Sequence, residues 1–123
     1  MEPRHLKTGQ LLFEVGSKSD EIFFIMQGEV RLDIPLPDGH QHHIATHHQG
    51  DFIGELGFLD QRPRIDSATA ITDVDVLVLS RSRLDQLADH HKRLGVSLMT
   101  EIARVLASRL RQSNEELRVL ESA

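Results

Sequence analysis

Short apolar runs punctuated by turn residues fill the first two-thirds of the chain, and a helical period fills the rest. Turn formers recur about every ten positions, at Thr8-Gly9, Gly16 through Asp20, Gln27-Gly28, Pro37-Asp38-Gly39 and Gln49-Gly50-Asp51. Between them, residues 11–15, 21–27, 29–36 and 40–46 are rich in β-formers and predict strands. Pro37-Asp38-Gly39, set between two such runs, is the clearest hairpin signal. Residues 65–79 predict two further strands, the second alternating Val74, Val76 and Val78 against Asp75, Leu77 and Leu79. Short strands at this spacing belong to an antiparallel sandwich, barrel or roll.

Near Ser80 the period lengthens from two residues to that of a helix. Ser80 or Ser82 is placed to cap a short helix carrying Leu84, Leu87 and Ala88. A longer helix is predicted over residues 92–121. Its seam runs Met99, Ala103, Leu106, Leu110, Leu117 and Leu120, with Ser113 at the one polar seam position. Leu98, Ile102 and Val105 widen the stripe in the first half, which is expected to pack on the β-rich part. The second half is polar apart from the seam, as in a coiled-coil contact or an exposed tail.

Length and composition narrow the picture. A chain of 123 residues fits one domain, here read as a β-rich part over residues 4–80 and helices over residues 81–121. The aromatics are five Phe with no Trp or Tyr, so Leu, Ile and Val must supply most of the core. The net charge of −5 argues against general nucleic-acid binding, which needs a basic face. There is no Cys, which excludes disulfides, thiol catalysis and Cys-based zinc sites and suits a reducing compartment. The longest apolar runs, residues 22–26 and 76–79, are too short to span a membrane, and the N-terminus lacks signal-peptide order. The expected setting is cytoplasmic, free or tethered to the membrane through a parent protein, and the chain reads as a domain of something longer.

The chemistry concentrates in residues 50–64, Gly-Asp-Phe-Ile-Gly-Glu-Leu-Gly-Phe-Leu-Asp-Gln-Arg-Pro-Arg. Gly54 permits a sharp turn out of a strand, and residues 55–59 can then form one helical turn with free N–H groups at its start. Pro63 ends any helix and Arg64 opens the next strand. Amides and a guanidinium converging in this way suit an anion. Glu55 beside that anion suits a sugar hydroxyl rather than a phosphate.

Gly54-Glu55-Leu56, Leu59, Pro63-Arg64 and the following Val-Asp-Val-Leu-Val-Leu-Ser-Arg run resemble the phosphate-binding cassette of cyclic-nucleotide-binding domains. That family includes bacterial catabolite-activator-like regulators, kinase regulatory subunits and nucleotide-gated channels. Residues 8–16 and 22–30 resemble its opening strands, and the likeness extends over residues 4–120. It implies an eight-strand antiparallel β-roll, jelly-roll-like, with a short cassette helix and two C-terminal helices. It further implies a regulatory domain that binds a 3′,5′-cyclic nucleotide, cAMP or cGMP, and signals through its last helix, with residues near Leu106, Arg109 and Leu110 covering the base. The parent polypeptide would be a transporter or an enzyme, and the long helix would join two copies into a homodimer. The implied ligand-binding residues are Gly54, Glu55, Leu56, Gly57, Arg64, Ile65 and Asp66. Among them Glu55 would hold the ribose 2′-hydroxyl, Gly54 and Leu56 would present backbone groups, and Arg64 would pair with the cyclic phosphate.

Two positions depart from the family pattern. Small or hydroxyl residues usually follow the Arg, whereas here Ile65 offers no donor and Asp66 brings a carboxylate towards an anion. Asp66 either repels the phosphate or binds Arg64 in its place. The alternative reading is therefore a degenerate cassette serving as an interaction or dimerisation module, with Glu55 and Arg64 paired only to hold the turn.

His40, His42, His43, His47 and His48 crowd one short segment. His40 and His42 would share a strand face at a spacing that can chelate a metal, but a polar, solvent-facing hairpin without metal is the expectation. No nucleophile elbow or ordered triad is present, so neither catalytic residues nor a cofactor is expected. A helix-turn-helix would need about forty residues after the long helix, so this stretch alone is not read as binding DNA.

Overall fold

The computed structural model describes residues 1–122, with side chains through Glu121. These residues fall into two compact units, Met1–Arg83 and the residues from Leu84 onward. The first unit contains eight strands: β1 (Glu2–Leu6), β2 (Leu11–Phe13), β3 (Glu21–Gln27), β4 (Val30–Pro35), β5 (Gln41–His47), β6 (Phe52–Ile53), β7 (Ser67–Ala70) and β8 (Val74–Ser80). A single short helix, α1 (Glu55–Asp60), lies between β6 and β7. The strands form two four-stranded sheets, ordered β1-β8-β3-β6 and β2-β7-β4-β5, with every pairing antiparallel. The expected mainly β roll, with its cassette helix, is the fold observed.

The period-two pattern explains the layering. Val74, Val76 and Val78 of β8 point to one side, where they join Phe23 and Ile25 of β3, Val30 and Leu32 of β4, and Ala68 and Ala70 of β7 in a single buried cluster. Phe13 and Phe23 stack within it, with ring centroids 5.8 Å apart. Burying side chains of this size contributes about 1.5–3 kcal/mol each. The hairpin predicted at Pro37-Asp38-Gly39 is present. Leu36 N–H donates to His40 O at 2.8 Å, Gly39 N–H to Leu36 O at 3.0 Å, and the Asp38 carboxylate accepts the His40 N–H.

Three boundaries differ from the sequence expectation. β1 pairs with β8 from Glu2↔Val78 to Leu6↔Val74, although Glu-Pro-Arg-His-Leu carries little strand signal. It is an edge strand, which is where a residue such as Pro3 without an N–H is tolerated. β7 starts at Ser67 rather than at residue 65, because the chain bends at Ile65 and Asp66 instead of extending. His40 lies in the turn and not on β5, so it shares no strand face with His42.

Of the two serines placed to cap the next helix, Ser80 does so. α2 (Arg81–His90) follows it directly, and its hydroxyl accepts the Arg83 N–H at 3.2 Å. α3 (Lys92–Ser122) is a 31-residue helix. A Cβ at Gly95 would stand 3.0 Å from Ala88 Cα, so the α2–α3 junction closes over a residue with no side chain. In α3, Ile102 is buried, whereas Leu110, Leu117, Val119 and Leu120 are all more than half exposed. Among the described residues, no helix is long and apolar enough to cross a membrane.

Candidate ligand-binding site

The cassette is built on one glycine. Gly54 has φ +84°, a left-handed conformation that turns the chain from β6 into α1. A Cβ there would lie 2.6 Å from Arg64 Nη1 and 3.2 Å from Glu21 O, so the position also has no room for a side chain. α1 closes through Phe58 N–H to Gly54 O and Gln61 N–H to Gly57 O. Gly57 is buried against Ser19, whose hydroxyl donates to Arg62 O, and a Cβ at Gly57 would overlap the Ser19 side chain. On the other side, Arg81 donates to Phe58 O at 3.3 Å.

Arg64 is the centre of this arrangement. Its backbone is tied to the loop before β3, Gly16 N–H donating to Arg64 O and Arg64 N–H to Ser17 O. Its side chain is 5% exposed, with Nη1 donating to Gly54 O at 2.8 Å and Nη2 to Glu21 O at 2.6 Å. The guanidinium lies 4.4 Å from the Phe13 ring centroid and 5.6 Å from that of Phe23, a cation–π platform. Among the described residues, Nε is a buried donor with no partner. Burial favours the neutral form of Arg64, while Asp66, Glu21, Glu55 and Asp20 favour the charged one. A guanidinium stays charged at any working pH.

Gly54, Glu55, Leu56, Gly57, Arg64, Ile65 and Asp66 all line one cavity of about 180 Å³. Leu32, Asp60, Arg62 and Pro63 complete its wall. That volume is below the roughly 300–1,000 Å³ of pockets that enclose a whole ligand, so the cavity suits one end of a ligand. Ile65 and Leu56 stand at its rim, 65% and 55% exposed. Asp66 is half-buried, and burial together with Glu55 pushes its carboxyl above the ordinary range, opposed by Arg64 and His47.

The alternative in which a Glu55–Arg64 pair holds the turn is not the arrangement observed, nor does Asp66 bind Arg64 directly. The buried guanidinium gives its two amino groups to main-chain carbonyls, as an interior charge must be hydrogen-bonded. Arg62, Asp60 and the Phe13–Phe23 platform are the features that sequence reasoning missed. A signal for the first two was available, since residues 60, 62, 64 and 66 alternate as Asp, Arg, Arg and Asp. Among the described residues, no group of three or more His, Asp or Glu is arranged to hold a metal ion.

A two-sheet antiparallel roll with a Gly-Glu-Leu turn, a short helix and a buried Arg defines the class of this domain. The family model for the cyclic nucleotide-binding domain matches residues 3–91, and the chain belongs to that family. It is 31% identical over 118 residues to a CRP-like cAMP-activated global transcriptional regulator of Mycobacterium tuberculosis, covering 95% of this chain and 50% of that protein. A lysophospholipase of Chaetomium globosum is 30% identical over 111 residues, a match to 90% of this chain and 7% of that enzyme. Among solved structures, the Thermus thermophilus catabolite activator protein superposes with a TM-score of 0.83 at 29% identity, over 98% of this chain and 55% of that one. A cyclic nucleotide-binding domain from Methylobacillus flagellatus superposes with a TM-score of 0.87 at 29% identity, over 98% and 67%. The chain thus spans half or less of the length of these curated relatives.

Proposed function

We propose that this domain is a non-catalytic sensor that binds a 3′,5′-cyclic nucleotide, cAMP or cGMP, in the cavity between α1 and residues 62–66. The observation that carries this reading is Arg64 Nε, a buried unpartnered donor in a residue of the cavity wall. Such a donor is held at a cost unless a partner arrives, and a cyclic phosphate is a partner of the right charge and size. Glu55, at the start of α1, would accept from the ribose 2′-hydroxyl, and Gly54, Leu56 and Gly57 would leave the backbone open around it. Ile65 would stand at the rim. The domain would act in the cytoplasm, within a transporter, enzyme or regulator.

Signalling would run through α3, since a ligand shifts a conformational equilibrium only by its differential affinity for the two states. The exposed seam at Leu110, Leu117 and Leu120 would pair two copies. Sedimentation should then show a dimer that deletion of residues 114–123 dissociates, and an unchanged oligomeric state would remove α3 from that role.

Calorimetric titration of the whole chain with cAMP and with cGMP tests the main reading. Saturable binding at micromolar concentration is expected. Its absence with both would favour the second reading, a module without ligand, to which Asp66 in the cavity wall lends support.

A further inference from the structure

We infer that Asp66 couples anion binding in this cavity to proton uptake, so that the site holds its nucleotide more tightly as pH falls. This rests on the nucleotide reading above and adds a second input to it.

The charges around the cavity set up the coupling. α1 brings Glu55 and Asp60, and residues 62–66 bring Arg62, Arg64 and Asp66, so the wall carries three carboxylates and two guanidiniums. From β5, His47 acts on Asp66 as well, its Nδ1 lying 3.2 Å from Asp51 Oδ2. β4 contributes Leu32, which has no charge. Arg64 does not neutralise Asp66 by contact, because Nη1 and Nη2 donate to Gly54 O and Glu21 O. Among the described residues, Asp66 makes no ion pair, and its own backbone N–H, Arg64 and His47 offset only in part the burial and the Glu55 charge that oppose its carboxylate in the cavity wall.

An incoming phosphate adds a negative charge beside the half-buried Asp66. One proton from solvent onto the carboxylate removes the repulsion and turns an acceptor into a donor able to face a phosphate oxygen. The linkage is reciprocal, the proton tightening the anion and the anion tightening the proton by the same factor. Burial and Glu55 already favour the protonated form before any anion enters.

Titration of the full chain with cAMP from about pH 5 to about pH 8, in two buffers of different ionisation heat, counts the protons taken up. The expected result is close to one proton per nucleotide on the alkaline side, with affinity falling about tenfold per pH unit there. Asp66→Asn should bind about tenfold tighter at neutral pH and lose both the slope and the uptake. A carboxyl-carbon NMR titration of Asp66 in the wild type serves if that variant does not fold, and its midpoint should rise on adding cAMP. Binding without proton uptake, a slope that survives in Asp66→Asn, or one lost instead in His47→Gln overturns the coupling and leaves the nucleotide reading intact. No binding by wild type and Asp66→Asn at every pH overturns the nucleotide reading itself and the coupling with it.

Discussion

Two polar segments, the cassette that joins β6 to β7 and the hairpin that joins β4 to β5, come out as opposites. The cassette, residues 54–66, buries Arg64 and half-buries Glu55 and Asp66, leaving Asp60 and Arg62 exposed. Arg64 is 5% exposed, rests on Phe13 and Phe23, and is bound to the carbonyls of Gly54, just before α1, and Glu21 of β3. The histidine hairpin, residues 36–48, leaves residues 40–44 exposed, and its side-chain contacts are local, Asp38 with His40, His43 with Thr46 and His47 with Asp51, with only His47 acting on the cassette. Both segments looked chemically rich in sequence. What separates them is burial, because only an interior group must find a partner, and only there does an unfilled donor have consequences.

The largest test of that contrast is Arg64→Ala. It removes the guanidinium donors from Glu21 O and Gly54 O, the latter keeping only the Phe58 N–H, and takes a cation from its aromatic platform, and a loss of about 3 kcal/mol or more is expected by urea denaturation. A loss below about 1 kcal/mol would put Arg64 in the same class as the hairpin residues.

Gly54→Ala should follow, at about 1–3 kcal/mol, since it forces a side chain into a left-handed backbone position. It also pushes a methyl group towards Arg64 Nη1, so its cAMP affinity should fall with its stability. A loss of stability with unchanged affinity would mean that the guanidinium is not part of the site.

A smaller effect concerns pH. Because the folded chain raises the Asp66 carboxyl above its unfolded value, the protonated form favours folding. The wild type should therefore lose stability as pH rises from the ordinary carboxylate range through that raised value. Denaturation of Asp66→Asn across the same range should lack this decline, and parallel curves would place the carboxyl in a solvent-like setting.

The smallest effect belongs to the hairpin. His42→Ala and His43→Ala should each change stability by less than about 0.5 kcal/mol. A larger loss would reveal a partner for this edge strand.

The fold was legible wherever a turn residue announced itself. Pro37-Asp38-Gly39, Gly50-Asp51 and Gly54 mark corners whose glycines hold a positive φ that other residues rarely adopt, and the valines of β8 display their own alternation. β1 was not legible, since its one buried residue is Leu6 and its extended form comes from pairing with β8. The seven cassette residues were legible as a group and do share a cavity. The anchoring of Arg64 was not, because the oxygens that hold it are main-chain atoms of Glu21 and Gly54, and any residue type carries a carbonyl.

The order of the first sheet, β1-β8-β3-β6, also dictates when this molecule can fold. β8 lies between β1 and β3 and is the last strand to leave the ribosome, so the earliest strand waits for the whole roll to be made before it has a neighbour. Contacts this distant in sequence close slowly and together. A nascent chain that has not reached Val74 has both β1 and β3 open along their β8-facing sides, which is when an unprotected strand is most exposed to wrong partners. Ser80 ends that interval: it is the last residue of the closing strand and the cap of the helix that follows.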